Sequence, residues 1–335
     1  TMHLIYARFF TKALRDLGFL DFDEPFSRLF NQGMIHGEDG HVMSKSRGNI
    51  VVPEEVFKRY GIDTIRFFLV SVASPDKDMT WNSEAIEGSS RFVWKVLKYF
   101  DTVKIGKSSR RVESKLHKTI KEVTDDIENF RYNFALIKLR SLFSTFEEEA
   151  GSDTLGVFLK LLHPFCPHIT EELWERLGNK GFISVQKWPE YDENKIDVKL
   201  EMQEEFVNQT VQDIRSIQQL VKNKPKAITL YIAPAWKYRV YATALEKPQN
   251  LIAKVMKDED VRKAGKAAAK YVQSLLKRHD LQLVLEQEDE LAALNNAKDV
   301  LSKEFGCSVN VAKAEESNDD KASRAEPGRP GIKIE

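Results

Sequence analysis

The chain has 335 residues, 42% of them apolar, and its 51 basic and 51 acidic side chains leave no net charge. That is enough apolar content for packed cores in about one to three domains, and the charge balance excludes a globally basic coat for nucleic acid while leaving room for local basic patches. Two cysteines far apart, Cys166 and Cys307, form no disulfide framework and fit a reducing cytoplasm, and no stretch has the length or leader pattern of a membrane-crossing or secretory segment.

Apolar periodicity begins at once. Leu4, Ile5, Phe9, Leu14 and Leu17 predict a helix over 2–17, stopped at Gly18. With nothing before it, the chain reads as one that starts inside a domain. The apolar run Phe30 to Ile35 reads as a strand or hairpin leading into the next loop, and Gly37 to Gly40 as a turn. A short polar loop follows, His41-Val42-Met43-Ser44-Lys45-Ser46-Arg47-Gly48-Asn49, and then Ile50-Val51-Val52 and a helix opened by Pro53. In the loop, Ser44, Ser46, Gly48 and Asn49 present backbone and hydroxyl donors while Lys45 and Arg47 bring positive charge, which is the chemistry that holds a polyphosphate. By composition alone such a loop is a solvated turn in most proteins.

Asp63 is a candidate N-cap for a helix with Ile65, Phe68 and Leu69 inward, and Trp81 a candidate anchor at a domain junction. Helical patterns then fill 83–103, 113–128, 132–149, 154–162, 170–177 and 201–222, the last closing a bundle. His163, Cys166 and His168 lie close in sequence, but their spacing matches no common zinc motif and a packing role is expected. Beyond 222 the character changes: strands at 226–232, 281–285 and 309–311, helices between them, a polar and flexible stretch over 315–327, and a short apolar end at 331–335. Lysine-rich helices make Lys254, Lys257, Arg262, Lys263, Lys266, Lys270, Lys277 and Arg278 candidates for RNA contact as a region.

Several strings carry a resemblance. Met43-Ser44-Lys45-Ser46, continued by Gly48-Asn49, resembles the Lys-Met-Ser-Lys-Ser signature of class I aminoacyl-tRNA synthetases, with Val42 where the first lysine usually stands. Met2 to Phe10 followed by Lys12 to Gly18 resembles leucyl-tRNA synthetases in particular. Tyr60, Gly61, Asp63 and Arg66 match a further motif of the family, expected to brace the signature loop. Pro164-Phe165-Cys166-Pro167-His168, with Glu171-Glu172-Leu173-Trp174, resembles the class Ia anticodon-binding bundle, and 223–335 resembles the C-terminal domain of archaeal-type leucyl enzymes.

The resemblance implies a multidomain α/β and α chain: the C-terminal part of a Rossmann-type catalytic domain (1–82), an anticodon-binding helical bundle (83–222) and a small α+β tRNA-binding domain (223–335). It implies ATP-dependent activation of leucine to leucyl-adenylate and transfer to tRNA(Leu). Lys45 is the expected catalytic residue, and Met43, Ser44, Lys45, Ser46, Gly33, Met34, Ile35 and His3 the expected ATP contacts, with Mg²⁺ accompanying ATP but no protein ligand assignable to it. No His-x-Gly-His signature and no editing insertion are found, so this polypeptide alone is not expected to activate leucine; the N-terminal half, a separate chain if the enzyme is split, would be a partner. Two other readings are a class Ia synthetase for isoleucine, valine or methionine, and a non-catalytic tRNA-binding protein.

Overall fold

Residues 2–220, 225–248, 250–278 and 280–335 are described by a computed structural model. They fall into two units, 1–196 and 197–335, mostly helical with few strands.

The first unit opens with α1 (Met2–Asp16). Its end follows the sequence: Gly18 takes a φ of 78°, a left-handed conformation natural to glycine, and the Phe19 N–H folds back to Leu14 O. Of the strand expected before the loop, only β1 (Ile35–His36) forms, paired in parallel with β2 (Met79–Thr80). The reason lies just before it, where the Gly33 N–H bonds Pro75 O at 2.8 Å and the Met34 N–H bonds Asp78 Oδ1 at 2.7 Å, so a turn, not a longer ladder, takes the donors.

Next come α2 (Pro53–Tyr60) and α3 (Ile62–Val72). Gly61 precedes α3, so the expected cap, Asp63, sits inside its first turn instead. The helix is buried on two sides. Phe67 enters the bundle core, while Ile65 and Phe68 join Trp81 and Ile86 in a smaller cluster that receives Met43 and Val51. Phe68 meets Trp81 edge-on, with ring centroids 5.3 Å apart.

α4 (Ser83–Thr102) starts at Asn82, whose side chain accepts from the Glu84 and Ala85 N–H groups. The bundle continues through β3 (Lys104–Ile105), α5 (Arg110–Glu128), α6 (Tyr132–Ser144), β4 (Glu149–Ala150, parallel to β3), α7 (Ser152–Leu162) and α8 (Pro167–Arg176). Leu136, Leu139, Phe158 and Leu162 are fully buried in its core. Each such side chain contributes roughly 1.5–3 kcal/mol by leaving water.

The second unit includes α9 (Val198–Leu220). Its stripe of Phe206, Thr210 and Ile214, spaced by four, is buried, and Phe206 and Ile214 share a core with Ile228, Leu230, Leu294 and Leu301. Within that unit the helix packs on the sheet that follows it. The expected helix end at Val221 and Lys222, and the domain boundary placed there, lie outside the described residues.

The sheet centres on β5 (Ala227–Ile232), flanked by β6 (Ser308–Lys313, parallel) and β7 (Gly331–Ile334, antiparallel). Between β5 and β6 run α10 (Ala235–Leu245), α11 (Leu251–Val255), α12 (Glu259–Lys263), α13 (Lys266–Leu276) and α14 (Gln287–Phe305). The stretch 281–285, predicted as a strand, has no ladder partner; it anchors through buried Leu285 while Leu283 faces solvent. The place at the sheet edge belongs to the terminal β7.

The stretch 315–327, expected to be flexible, packs through α15 (Asp320–Ser323) and buried Ala322 and Ala325. The buried ammonium of Lys237 donates to Ser323 O at 2.9 Å and Ala325 O at 2.5 Å, a partner no local sequence pattern announces.

Candidate functional site

The loop at 41–49 is tied down at both ends. On one side the Met43 N–H bonds Ile35 O at 3.1 Å, and Val42 bridges to His36. Met43 also inserts into the cluster of Ile65, Phe68 and Trp81. On the other side Asn49 is the hub: its Oδ1 accepts the Ser44 N–H at 2.9 Å, and its amide donates to the Asp39 carboxylate at 3.1 Å. The His41 N–H and the Asn49 amide hold the Asp39 carboxyl below its ordinary value, so it stays the acceptor that the loop needs.

Between these anchors Lys45–Arg47 form a single 3₁₀ turn, closed by Gly48 at φ 70°. Lys45, Ser46 and Arg47 are exposed, and neither cation makes an ion pair among the described residues. Ser44 Oγ and Ser46 Oγ lie 3.2 Å apart. The arrangement offers two uncommitted positive charges and hydroxyls on a loop whose base is fixed. That suits a polyanion, which supplies the missing counter-charge. Asp39 was legible only as part of a glycine-rich turn; its role in holding Asn49 needs the folded loop.

The remaining expected ATP contacts are placed unevenly. Gly33, Met34 and Ile35 run beneath the loop, bonded to 75–79 on one side and to Met43 on the other. Gly33 is required there, because a Cβ would sit 2.1 Å from Lys77 O. His3 is exposed on α1, its ring 6.2 Å from Phe26, and no hydrogen bond links it to the loop among the described residues.

The two helical motifs meet. The buried Asp63 carboxylate accepts from His168 Nδ1 and the Ile169 N–H, and Arg66 donates to Pro164 O at 2.9 Å. His163 instead contacts Thr170 Oγ1 at 2.7 Å, and burial pushes the Cys166 thiol up. His163 thus turns to Thr170 while Cys166 and His168 both meet Asp63, at its carbonyl and its carboxylate, and no group of three or more His, Cys, Asp or Glu suited to a metal ion occurs among the described residues.

In the second unit the basic candidates divide. Lys254, Lys263 and Arg278 are ion-paired with Glu246, Glu259 and Glu326. Lys257, Arg262, Lys266, Lys270 and Lys277 are exposed without an ion pair among the described residues. Lys266, Lys270 and Lys277 stand on one face of α13 by helical spacing.

Comparison with known proteins agrees with this geometry. Residues 8–82 match the family model for class I tRNA synthetases (I, L, M and V), and residues 109–230 match that of the anticodon-binding domain of tRNA ligase. The loop at 41–49 thus lies in the part of the chain that is similar to class I tRNA synthetases. The leucine–tRNA ligase of Halobacterium salinarum is 33% identical over all of this chain, which spans 40% of that relative's length. That of Thermosipho melanesiensis is 39% identical over 59% of this chain and 27% of its own length. The Agrobacterium radiobacter K84 agnB2 LeuRS, in a ternary complex with tRNA and LeuAMS, superposes with a TM-score of 0.52 at 29% identity, covering 59% of this chain and 28% of that one. The chain is thus similar over its whole length to leucine–tRNA ligases, of whose length it spans less than half.

Proposed function

We propose that this chain is the C-terminal part of a leucine–tRNA ligase. In that enzyme ATP activates leucine to leucyl-adenylate, and the leucyl group passes to tRNA(Leu). The observation that carries the reading is the signature loop: an exposed, unpaired Lys45 on a turn whose two ends are held by Met43 and Asn49. When the leucine carboxylate attacks the α-phosphate, negative charge spreads over the phosphate oxygens and the leaving pyrophosphate. Lys45, with Arg47 and the two serines, would meet that charge as the turn closes over it, an interaction stronger in the transition state than before it. Val42 cannot share this work, so the position where the family usually carries the signature's first lysine brings no charge here. Mg²⁺ would arrive with ATP, held by its phosphates.

On this reading 1–82 belongs to the catalytic domain, the bundle carries the anticodon stem, and the second unit binds the outer tRNA body through the free charges of α12 and α13. The exposed apolar face of α1, with Ile5, Phe9, Phe10 and Leu17 all more than half exposed, supports a further partner. Contiguous apolar surface of this kind marks an interaction site. The rest of the catalytic domain, in the same polypeptide or as a separate chain, would cover it.

Two experiments test the proposal. The isolated chain should show no ATP–pyrophosphate exchange, and should gain it on mixing with the N-terminal portion of a leucine–tRNA ligase. Lys45→Ala in that assembly should lower exchange by about a hundredfold, the loss typical of one transition-state charge contact. Exchange by the isolated chain, or an assembly indifferent to Lys45, would refute the assignment.

A further inference from the structure

We infer that the second unit holds a nucleotide-binding crevice at the carboxyl ends of β5 and β6, and that its occupant is one unstacked nucleotide of an RNA strand laid along α13. The inference rests on the tRNA-binding role proposed above.

A cavity of about 1220 Å³ opens there. One wall is the chain leaving β5, Pro234 to Lys237; another is the chain leaving β6, from Ala314 onward; α13 closes a third side. β5 and β6 run in parallel, and the crevice beyond the carboxyl ends of parallel strands is where open α/β sheets bind ligands. The N-terminus of α10, eleven residues long, begins at this crevice.

The lining supplies the chemistry. Trp236 is half-buried in the wall and meets Tyr271 edge-on, with ring centroids 5.8 Å apart. Tyr271 is 5% exposed, yet its hydroxyl has no hydrogen-bond partner among the described residues. An unsatisfied buried hydroxyl is costly, and a ligand's polar edge would relieve it. The Lys237 ammonium stands 5.7 Å from the Trp236 ring and 5.5 Å from the Tyr271 ring, a fixed cation behind the aromatic pair. Four of the five lining carboxylates are ion-paired within the unit, Asp260 with Arg239, Asp320 with Arg324, Asp319 with Lys333 and Glu326 with Arg278, while Glu315 accepts from the Gln287 amide. Lys270 at the same rim has no ion pair among the described residues, and Lys266 and Lys277 extend the rim along α13. An aromatic wall beside a row of free lysines fits a base with the backbone that carries it. A free mononucleotide would use only the wall, and a duplex only the row.

The test uses the whole chain and measures its affinity for a tRNA(Leu) transcript, a short single-stranded RNA, and free AMP and GMP over a salt series. Trp236→Ala should weaken binding of both RNAs by about 5- to 100-fold with an unchanged salt slope, the signature of lost stacking. Trp236→Phe should restore most of it, and thermal melting should show both variants folded. Replacing Lys266, Lys270 and Lys277 by Ala should instead flatten the slope. If the lysine variant loses affinity while Trp236→Ala binds like the wild type, the crevice is overturned and the RNA-binding role stands. If neither change matters, that role falls with it. Free AMP or GMP binding as tightly as the RNAs would overturn the strand as the source of the nucleotide.

Discussion

Asp63 on α3 accepts a hydrogen bond from His168 Nδ1 at 2.8 Å across 105 residues of sequence, and its second oxygen accepts the Ile169 N–H at 2.7 Å. Ile169 lies in the first turn of α8, whose own cap position, Cys166, supplies no side-chain bond. A carboxylate on a different helix therefore does the capping, and its charge favours the positive end of α8. Because α3 also carries the cluster that seats Met43, this contact joins the signature loop to the bundle.

Removing that cap should be costly. Asp63→Ala leaves a buried N–H unpaired and should destabilise the first unit by about 2–4 kcal/mol in denaturant unfolding. His168→Ala should cost less than about 1 kcal/mol, because the imidazole is 68% exposed. Equal losses from the two changes would mean that the histidine, not the helix cap, carries the contact.

Asn49 should matter more for activity than for stability. Asn49→Ala removes the acceptor for the Ser44 N–H and the partner of Asp39 while leaving the apolar anchors intact. Amide exchange over 41–49 should speed up by about tenfold, corresponding to one or two lost hydrogen bonds, with the midpoint of unfolding nearly unchanged. In the assembled enzyme, ATP–pyrophosphate exchange should fall although Lys45 is still present. Unchanged loop protection would show that Met43 alone fixes the turn.

The two units should respond to pH in opposite directions. Burial lowers the values of His163 and His117 below the ordinary 6.5, and His117 Nδ1 accepts the Asp192 N–H, which a proton there would prevent. Their contribution is complete above 6.5 and is lost as pH falls toward the lower folded values. Glu290 is pushed up to about 7 by burial, from an ordinary 4.5. Its contribution is complete below 4.5, is lost as pH rises to 7, and amounts to about 3 kcal/mol. Between pH 7 and 5, amide exchange should therefore show 1–196 loosening and 197–335 tightening. Glu290→Gln should remove most of the slope in the second unit.

Gly33 should tolerate no side chain. The Cβ of Gly33→Ala would fall 2.1 Å from Lys77 O, a backbone atom that cannot swing aside. The pairing of β1 with β2 should open, and exchange of the Met79 and Trp81 amides, which bond Met34 O and His36 O, should rise. A loss below about 1 kcal/mol would show that the 75–79 turn shifts freely.

The sequence by itself determined what depends on local pattern or on a literal string. Helix α1 and its stop at Gly18, the helices of the bundle, strands β5 and β6 and the position of the polar loop over 41–49 are all legible, because periodicity and glycine placement act within a few residues. The tertiary structure alone decided which surfaces meet. It set the stripe of α9 against β5 and α14, since an amphipathic stripe records that it must be buried but not against what. It gave the edge of the sheet to β7 rather than to 281–285, because strand pairing is a choice among distant partners of similar propensity. Asp63 became the cap of a helix a hundred residues away, and Lys237 the cation inside a cage of carbonyls, because a buried polar group takes whichever partner the fold brings within hydrogen-bond reach.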